Sequence, residues 1–276
     1  MDCIHVPHWS SSTGCFGPGS RLPGGSTIGE TERKILENSV PGGISGPARL
    51  DAGFMQGLSD PFLLVHGTGI RFFDASLLHF EMENRHADLL VVARAGPGTD
   101  RPLLTGPDGR IESFGCDRQS NLRDSGVWLV GRRAASAAGP ALSCPGAFLS
   151  AAMQSGASLY SECLASYCRV VESAADYLLL CGDVLGGRMP PAGGVEARRL
   201  ILDPSATIAE GAVFEGLVWV DGGASIGRGC RIENSVILGE ASVGEGSVLR
   251  NALVMPRSVV PAFSDLSDKY LCFIGG

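Results

Sequence analysis

The sequence predicts an α/β protein in two parts, a three-layer domain with a mostly parallel sheet and a short left-handed parallel β-helix after it. Two observations predict this fold class. Short apolar segments alternate with helical patterns through roughly the first 190 residues, which is typical of a parallel sheet covered by helices. Residues 207–255 repeat with a period of 17 to 18 residues, the length of three hexapeptides and of one β-helix coil.

The repeat consists of three stretches, Thr207–Val220, Ser225–Leu238 and Ser242–Met255. Apolar residues recur in the same phase, and because one coil cannot bury its own apolar side, the array is stable only as a stack. Glycine recurs where a corner needs a positive φ. A set of ordinary hairpins with turn glycines is the alternative. We predict about three coils over residues 200–262 and a tail over residues 263–276.

The α/β domain is predicted over residues 1–190. Its elements are strands at Pro61–His66, Asp88–Arg94, Gly126–Val130 and Tyr177–Cys181, helices at Asp74–Arg85 and Gly146–Ser155, and a hairpin at Leu103–Phe114. Asp74 is the predicted N-cap of the first helix. The Pro- and Gly-rich segment Arg188–Glu196 is the predicted domain boundary.

Composition narrows the class of protein. Apolar residues make up 44% and charged residues 18% of the chain, and the net charge is −7, which argues against a nucleic-acid partner or an anionic membrane surface. No apolar run is long enough for a membrane span. Nine cysteines without C-x-x-C spacing predict reduced thiols rather than disulfides or a zinc site. We expect a cytoplasmic location.

Five short motifs precede the repeat in a fixed order. They are FGPGS at 16–20, PGGISGP at 41–47, PFLLVHG at 61–67, the turn and strand 106–114, and DSGV at 124–127. In order and spacing they resemble F-G-D-G-S, P-L-G-T-A-G-P, P-F-L-V-x-N-G, D-x-D-G-R-V-x-x-F and N-A-G-I of the sugar-nucleotide pyrophosphorylases. Similarity is greatest to mannose-1-phosphate guanylyltransferase-like and glucose-1-phosphate nucleotidyltransferase-like proteins. The resemblance implies an incomplete Rossmann-like nucleotidyltransferase domain.

The resemblance also implies a reaction and a set of binding residues. Such enzymes join a nucleoside triphosphate to a sugar 1-phosphate and release pyrophosphate, with Mg²⁺ and basic side chains neutralising charge. The implied nucleotide- and sugar-binding residues are Gly42, Gly43, Ser45, Gly46, Gly67, Thr68, Asp124, Ser125 and Gly126. A plain surface turn is the alternative for the loop Gly42–Pro47.

Three departures from the family pattern affect residues on which the family's reaction depends. The triphosphate loop, G-x-G-T-R-L-x-P, has no match, so we expect the first strand, first helix and phosphate loop to be absent. Thr68 and Leu180 stand where the family has its two Mg²⁺-binding aspartates, and neither side chain replaces a carboxylate. No lysine stands near Gly115–Asp117, where the family has E-K-P. We therefore predict no catalytic residue and no metal site, and Mg²⁺ only if the chain is active.

The leading hypothesis is a catalytically impaired nucleotidyltransferase-like protein. It would bind a sugar nucleotide or sugar phosphate, or serve as the partner of a competent paralogue through its β-helix. The alternative is an active sugar-1-phosphate nucleotidyltransferase whose phosphate loop is missing from this chain. A purely structural β-helix is a third possibility, and an acyltransferase is disfavoured because no histidine follows His86. An absent first strand should leave an unpaired edge beside Phe62–His66, which predicts a homo-oligomer or a complex with a paralogous subunit.

Overall fold

The structure is a computed structural model that describes residues 1–6, 18–40, 44–45, 54–55, 57–95, 101–115, 120, 122–138, 144–190 and 197–271. The chain divides into two compact units. The first consists of Met1–Ser20 and Ile28–Glu172, and the second of Arg21–Thr27 and Ser173–Gly276. The second unit therefore begins ahead of the boundary proposed at residues 188–196, and the predicted domain ranges stay a prediction.

The first unit is built on a mixed β-sheet with helices. Its strands are β1 (Cys3–Val6), β2 (Ile44–Ser45), β3 (Phe62–His66), β4 (Gly69–Phe73), β5 (Leu89–Ala95), β6 (Pro102–Thr105), β7 (Ile111–Phe114), β8 (Leu122–Val130), β9 (Leu159–Glu162) and β10 (Ala165–Val170). Its helices are α1 (Ile28–Ser39), α2 (Ala75–Asn84), α3 (Arg132–Ala138) and α4 (Pro145–Gln154). The sheet order is β2-β1-β3-β8-β5-β9, with the β6–β7 hairpin attached to β8, while β4 pairs separately with β10.

The predicted mostly parallel sheet is only partly right. β1 and β3 are parallel, as are β5 and β9, but β8 lies between β3 and β5 and is antiparallel to both. The cause is the β6–β7 hairpin, which leads the chain into β8 without the helical crossover that a parallel neighbour requires. An apolar segment predicts a strand but carries no information about its direction.

The predicted unpaired edge beside β3 is wrong. β1 pairs with β3 in parallel from Cys3↔Leu63 to Val6↔His66, and β8 pairs with the other side of β3. No strand is predicted at Cys3–Val6 because four residues are too few to show a period. The expectation of an oligomer loses this support and stays a prediction.

β3 is buried on both faces and forms the middle of three layers. Phe62 belongs to an apolar cluster that includes Phe148 of α4. The next residue, Leu63, belongs to a second cluster that includes Leu36 of α1 and Leu78 of α2. Successive side chains of a strand point to opposite faces, so helices cover both sides of this strand. Because β3 is buried on both faces, its sequence is an uninterrupted apolar run.

Most predicted elements of this unit are confirmed. Strands β3, β5 and β8, the β6–β7 hairpin, and helices α2 and α4 all overlap the predicted segments. Asp74 caps α2 as predicted, because its side chain accepts a hydrogen bond from the backbone N–H of Ser76 at 2.8 Å.

The predicted strand at Tyr177–Cys181 is wrong, because these residues lie in helix α5 (Ala174–Leu185) of the second unit. Ser173 and Asp176 form a capping box at its start. The residues buried along the helix, which include Tyr177, Leu180, Cys181 and Val184, follow helical spacing. Five apolar letters can be a strand or one side of a helix, and the capping residues ahead of them decide between the two.

The second unit contains a β-solenoid of about four turns, formed by three parallel sheets. The first sheet holds β11 (Leu200–Leu202), β14 (Val218–Val220), β17 (Val236–Ile237), β20 (Leu253–Val254) and β23 (Tyr270–Leu271). The second holds β12 (Thr207–Ile208), β15 (Ser225–Ile226), β18 (Ser242–Val243) and β21 (Val259–Val260). The third holds β13 (Val213–Glu215), β16 (Arg231–Glu233), β19 (Val248–Arg250) and β22 (Asp265–Ser267).

The predicted stacking is confirmed, but the solenoid is longer than the three predicted coils. Ile226 pairs with Ile208 on one side and with Val243 on the other. Strands β22 and β23 extend the ladders to Leu271, through residues predicted to be a tail. The last turn escapes detection because Phe263, at φ 58, takes the corner that glycine holds in the earlier turns.

One corner of the solenoid contains an extra residue. Glu215 pairs directly with Glu233, and Trp219 pairs directly with Val236. Three residues, 216–218, therefore lie between the paired positions in one turn and two residues, 234–235, in the next. The added length is absorbed at the corner, and the strands on either side keep their register.

We expect Leu249→Ala to lower the free energy of unfolding by about 2–5 kcal/mol, because it empties a fully buried position in the solenoid core. Leu249 is 0% exposed and Leu200 is 45% exposed, so Leu200→Ala is the matched control and should cost clearly less. Urea denaturation followed by circular dichroism measures both values. Equal losses would contradict the packing described for the solenoid.

Candidate functional site

Polar side chains from several elements meet at the end of β3, where the chain turns through Gly67 and Thr68 into β4. We call these residues the polar cluster: Glu32 of α1, His66 of β3, Arg71 of β4, Arg101 before β6, Asp124 of β8 and Glu172 after β10. All six belong to the first unit. Five are buried and Glu172 is half-buried. Charges at such depth persist only when they are paired and hydrogen-bonded.

A bulge in β8 brings Asp124 into the polar cluster. The register with β5 shifts so that Ser125 and Gly126 are extra residues on β8. Gly126 has φ 80, and a Cβ added there would lie 2.2 Å from the carbonyl oxygen of His66. Glycine is therefore required by both the backbone angle and the close approach of β3.

The carboxylate of Asp124 is held by donors of the protein itself. Its Oδ1 accepts hydrogen bonds from the backbone N–H of Gly126 at 2.8 Å and from Nε1 of Trp128 at 2.9 Å. Its Oδ2 lies 3.4 Å from Nε2 of His66. The His66 ring packs edge-on against Trp128, with centroids 4.5 Å apart. Bulge, imidazole and indole thus fix the orientation of this carboxylate.

Arg71 is the most deeply buried cation of the polar cluster, with 0% exposure. Its Nη2 donates to the carbonyl oxygen of His66 at 3.0 Å, and its Nε donates to the carbonyl oxygen of Ser125. Its Nη1 forms an ion pair with Glu32, whose other oxygen lies 3.2 Å from Nε2 of His5. One guanidinium therefore connects α1, β3, β4 and β8.

Arg101 covers the turn after β3. Gly67 has φ 74, and a Cβ added there would lie 2.6 Å from Nη2 of Arg101. The same Nη2 lies 2.7 Å from Oε1 of Glu172, and Nη1 lies 3.5 Å from Nδ1 of His66. The carbonyl oxygen of Arg101 accepts a hydrogen bond from the backbone N–H of Asp124 at 3.0 Å.

Burial and neighbouring charges set the protonation states. Burial lowers the pKa of His66, with Arg101 and Arg71 acting in the same direction and Asp124 in the opposite one, so the imidazole is neutral at pH 7. Burial alone would raise the pKa of Asp124, but His66, Arg101 and the backbone N–H of Gly126 lower it to about 2. Asp124 is therefore ionised.

The acids of the polar cluster are paired or hydrogen-bonded within the protein, and the cluster does not fit Mg²⁺. With His66 neutral, two guanidinium groups face three carboxylates. A hard divalent cation needs several carboxylate, carbonyl or water oxygens, whereas here Thr68 offers a hydroxyl and both guanidinium groups would repel the ion. Within the described residues, no group of three or more His, Cys, Asp or Glu side chains could hold a metal ion.

The structure brings some of the predicted binding residues together and leaves others apart. Those around the turn and the bulge are buried and adjacent: Gly67, Thr68, Asp124, Ser125 and Gly126. Ser45 is exposed on β2, which β1 separates from β3. Gly42, Gly43 and Gly46 lie outside the described residues. The binding roles of all nine residues stay predictions.

Sequence reasoning misses most of the polar cluster. Arg71 could have been found, since a charged residue inside the apolar strand G-I-R-F-F signals a buried partner. Glu32 lies on the buried side of α1, again with a charge in an apolar stripe. Arg101 and Glu172 stand at strand ends in unremarkable sequence, and only the three-dimensional structure brings them together.

The match of Leu179–Gly182 to a strand that carries a metal-binding aspartate is wrong in its context, because these residues lie in α5. The strand before α5 is β10, in which Arg169 is paired with Ile70 of β4. Asp183, the acid nearest to the earlier match, is ion-paired at 2.7 Å with Arg188 in the second unit.

Comparison with known proteins identifies the solenoid. Residues 197–275 match the family described as the GMPPB C-terminal domain. Together with the three parallel ladders, this match confirms the predicted left-handed β-helix of hexapeptide repeats. No curated protein matches the chain. In the described ranges, no helix has the length and apolar character to span a membrane.

Gly126→Ala should lower the free energy of unfolding by more than about 2 kcal/mol. Alanine would have to adopt a positive φ, and its Cβ would overlap the carbonyl oxygen of His66. Gly115→Ala is the matched control. It has φ 68 but nothing within 4 Å of the added Cβ, so it should cost only about 1 kcal/mol. Thermal unfolding of both variants measures the difference, and similar midpoints would contradict the tight contact at the bulge.

The charge of Asp124 should make stability fall in acid. Its folded pKa of about 2 lies below the unfolded value of roughly 4, so its contribution is fully present above pH 4 and is lost as the pH falls towards 2. The advantage of wild type over Asp124→Asn should shrink by about 1 kcal/mol between pH 6 and pH 3 and by about 2 kcal/mol by pH 2. Urea unfolding at pH 6, 4 and 3 tests this, with exposed Asp265→Asn as the control. A constant advantage would refute it.

Proposed function

We propose that this protein is a nucleotidyltransferase-like protein related to the sugar-1-phosphate guanylyltransferases that lacks the ordinary catalysis. It binds a sugar nucleotide or sugar phosphate, or acts as a regulatory partner of a competent enzyme. The observation that carries the proposal is the polar cluster, in which Arg71 and Arg101 close the position after β3 where an acid would hold Mg²⁺. The match of residues 197–275 to the GMPPB C-terminal domain supports the relationship.

The polar cluster lacks the means to assist phosphoryl transfer. Such transfer depends on neutralising the charge that builds on the phosphoryl group and the leaving pyrophosphate. Arg71 is committed to two backbone carbonyls and Glu32, and Arg101 is committed to Glu172. At the position of the family's first acid stands Thr68. The described residues therefore favour binding over turnover.

The proposed binding does not rest on the two glycines, because the space beside Gly67 is filled by Arg101 and the space beside Gly126 by the carbonyl oxygen of His66. The solenoid is the more regular part of the chain and would supply the contact with a second copy or a paralogous subunit. A solenoid presents an extended surface, and association through it does not depend on the polar cluster.

The test of impaired catalysis is a pyrophosphate assay. Purified protein is incubated with each nucleoside triphosphate, Mg²⁺ and a set of hexose 1-phosphates, and we expect no release above background. A competent sugar-1-phosphate guanylyltransferase under the same conditions is the positive control. Robust turnover by this protein alone would overturn the proposal.

Two further measurements separate the binding role from the partner role. A thermal-shift screen with GDP-, UDP-, ADP- and dTDP-sugars should raise the melting temperature for one base, since a ligand that binds only the folded state stabilises it. Titration of this protein into the competent enzyme should change the rate of that enzyme if the two associate. If no sugar nucleotide raises the melting temperature and the rate of the competent enzyme does not change, the proposed function has no support.

A further inference from the structure

A short segment from the early part of the chain belongs to the second unit. Met1–Ser20 and Ile28–Glu172 form the first unit, whereas Arg21–Thr27 is grouped with Ser173–Gly276. We call Arg21–Thr27 the inserted turn. The chain thus leaves the first unit, contacts α5 and the solenoid through this segment, and then returns to the first unit.

The inserted turn is closed by its own backbone hydrogen bonds. The N–H of Leu22 donates to the carbonyl oxygen of Ser26 at 2.7 Å, and the N–H of Gly25 donates to the carbonyl oxygen of Leu22 at 3.0 Å. Arg21 and Thr27 form an antiparallel bridge at its base. Gly25 has φ 97, which glycine adopts readily. A turn that holds its own shape loses little conformational freedom when it binds.

Leu22 is the apolar anchor of the inserted turn. It is fully buried, and Pro23 beside it is also buried, whereas the glycines at the tip are exposed. Tyr177 of α5, itself buried, donates a hydrogen bond from its hydroxyl to the carbonyl oxygen of Arg21. The turn is therefore held by the burial of an apolar side chain and by a hydroxyl group of the helix.

The solenoid presents carboxylates to the second anchor, Arg21. Nη1 of Arg21 lies 2.7 Å from Oδ1 of Asp221, whose side chain is 6% exposed. Asp203 stands at the equivalent place one coil earlier. Hydrogen bonds from Ser205 lower the pKa of Asp203, and Arg21 acts in the same direction. Because a buried carboxylate requires such a partner, this corner of the solenoid is complementary in charge to the inserted turn.

We propose that Tyr177, Asp203 and Asp221 form a docking site for the inserted turn, and that the inserted turn of a second copy of this chain occupies it in a dimer. The site fits a closed turn that presents an arginine followed by a buried leucine, and this chain itself supplies one. Exchange of an identical element needs no new contact and is a low-cost route to a dimer. The inference deepens the partner role in the proposed function and rests on it for the second unit as the surface of association.

The strength of the ion pair is compatible with exchange between copies. The Arg21 side chain is 48% exposed, so solvent screens its attraction to Asp221. Within one chain the inserted turn has an effective concentration of roughly millimolar, which keeps the site occupied in a dilute monomer. At higher concentration, or when the chain's own turn is weakened, the turn of another molecule competes for the site. A homo-oligomer would then form without an unpaired sheet edge.

The probe for this site is a fluorescent peptide of residues 18–28, whose anisotropy is measured with the full chain. Arg21→Glu combined with Leu22→Ala removes both anchors of the chain's own turn. This double variant should bind the peptide at least about tenfold tighter than wild type, because the site is no longer occupied from within. Arg228→Glu is the matched control, since Arg228 pairs with Glu210 at 3.3 Å on an exposed part of the solenoid. It should bind the peptide no tighter than wild type.

A second peptide that carries the same two changes should not bind the double variant. The proposal is overturned if the double variant binds the unchanged peptide no tighter than wild type, or if it binds both peptides equally well. A merely structural turn would lower the melting temperature of the double variant without creating a site for the peptide. Circular dichroism shows whether the double variant is folded.

A charge exchange between two chains tests the proposal if the double variant does not fold. Arg21→Glu and Asp221→Lys each place like charges at the contact within one chain. In a mixture of the two variants, the inserted turn of each meets an opposite charge on the other. Light scattering should show a monomer for each variant alone and a dimer for the equimolar mixture. A mixture that stays monomeric, or a dimer formed as readily by either variant alone, would refute exchange between copies.

The rate of a competent sugar-1-phosphate guanylyltransferase separates this inference from the proposed function. Peptide binding and a mixed dimer, without any effect of this protein on the rate of that enzyme, would support the docking site and refute the partner role. An effect on the rate, without peptide binding and without a mixed dimer, would support the partner role and refute the docking site.

Discussion

The structure of the first unit depends on the buried guanidinium of Arg71. It donates hydrogen bonds to buried carbonyl oxygens at the end of β3 and in the β8 bulge, and it neutralises Glu32 of α1. Removal of the cation would leave Glu32 with His5 alone and would deprive the carbonyl groups of a donor in a low-dielectric interior, which is costly. The same contact explains why the backbones at His66 and Gly126 approach so closely, since both lie against one planar group.

Periodicity decides how much of this structure can be read from sequence. The solenoid is predictable because Ile208, Ile226 and Val243 repeat a local pattern that a stack of coils must bury. The sheet is half predictable, since apolar runs reveal β3 and β5 but not the direction of β8. The polar cluster is the least predictable part, because its members come from six separate segments and pair only after the sheet has formed.

The sequences of the two units differ in what they show. In the solenoid, the repeated residues match a known family over residues 197–275. In the first unit, the charges after β3 are two guanidinium groups, of Arg71 and Arg101, each paired with a carboxylate. The packing of β3 depends on apolar residues such as Leu63 and Val65, and these are independent of the chemistry at the strand end.

The extra residue at the solenoid corner shows how such an array can change without losing its register. Coils are matched where Glu215 meets Glu233 and Trp219 meets Val236, so a corner can gain or lose a residue while every ladder stays aligned. The longer corner carries Leu217, and a Cβ added at Gly186 of α5 would lie only 3.6 Å from its Cδ1. A length change that leaves the core unaltered thus places a side chain against a helix. Corners are therefore positions at which a repeat array can evolve new contacts.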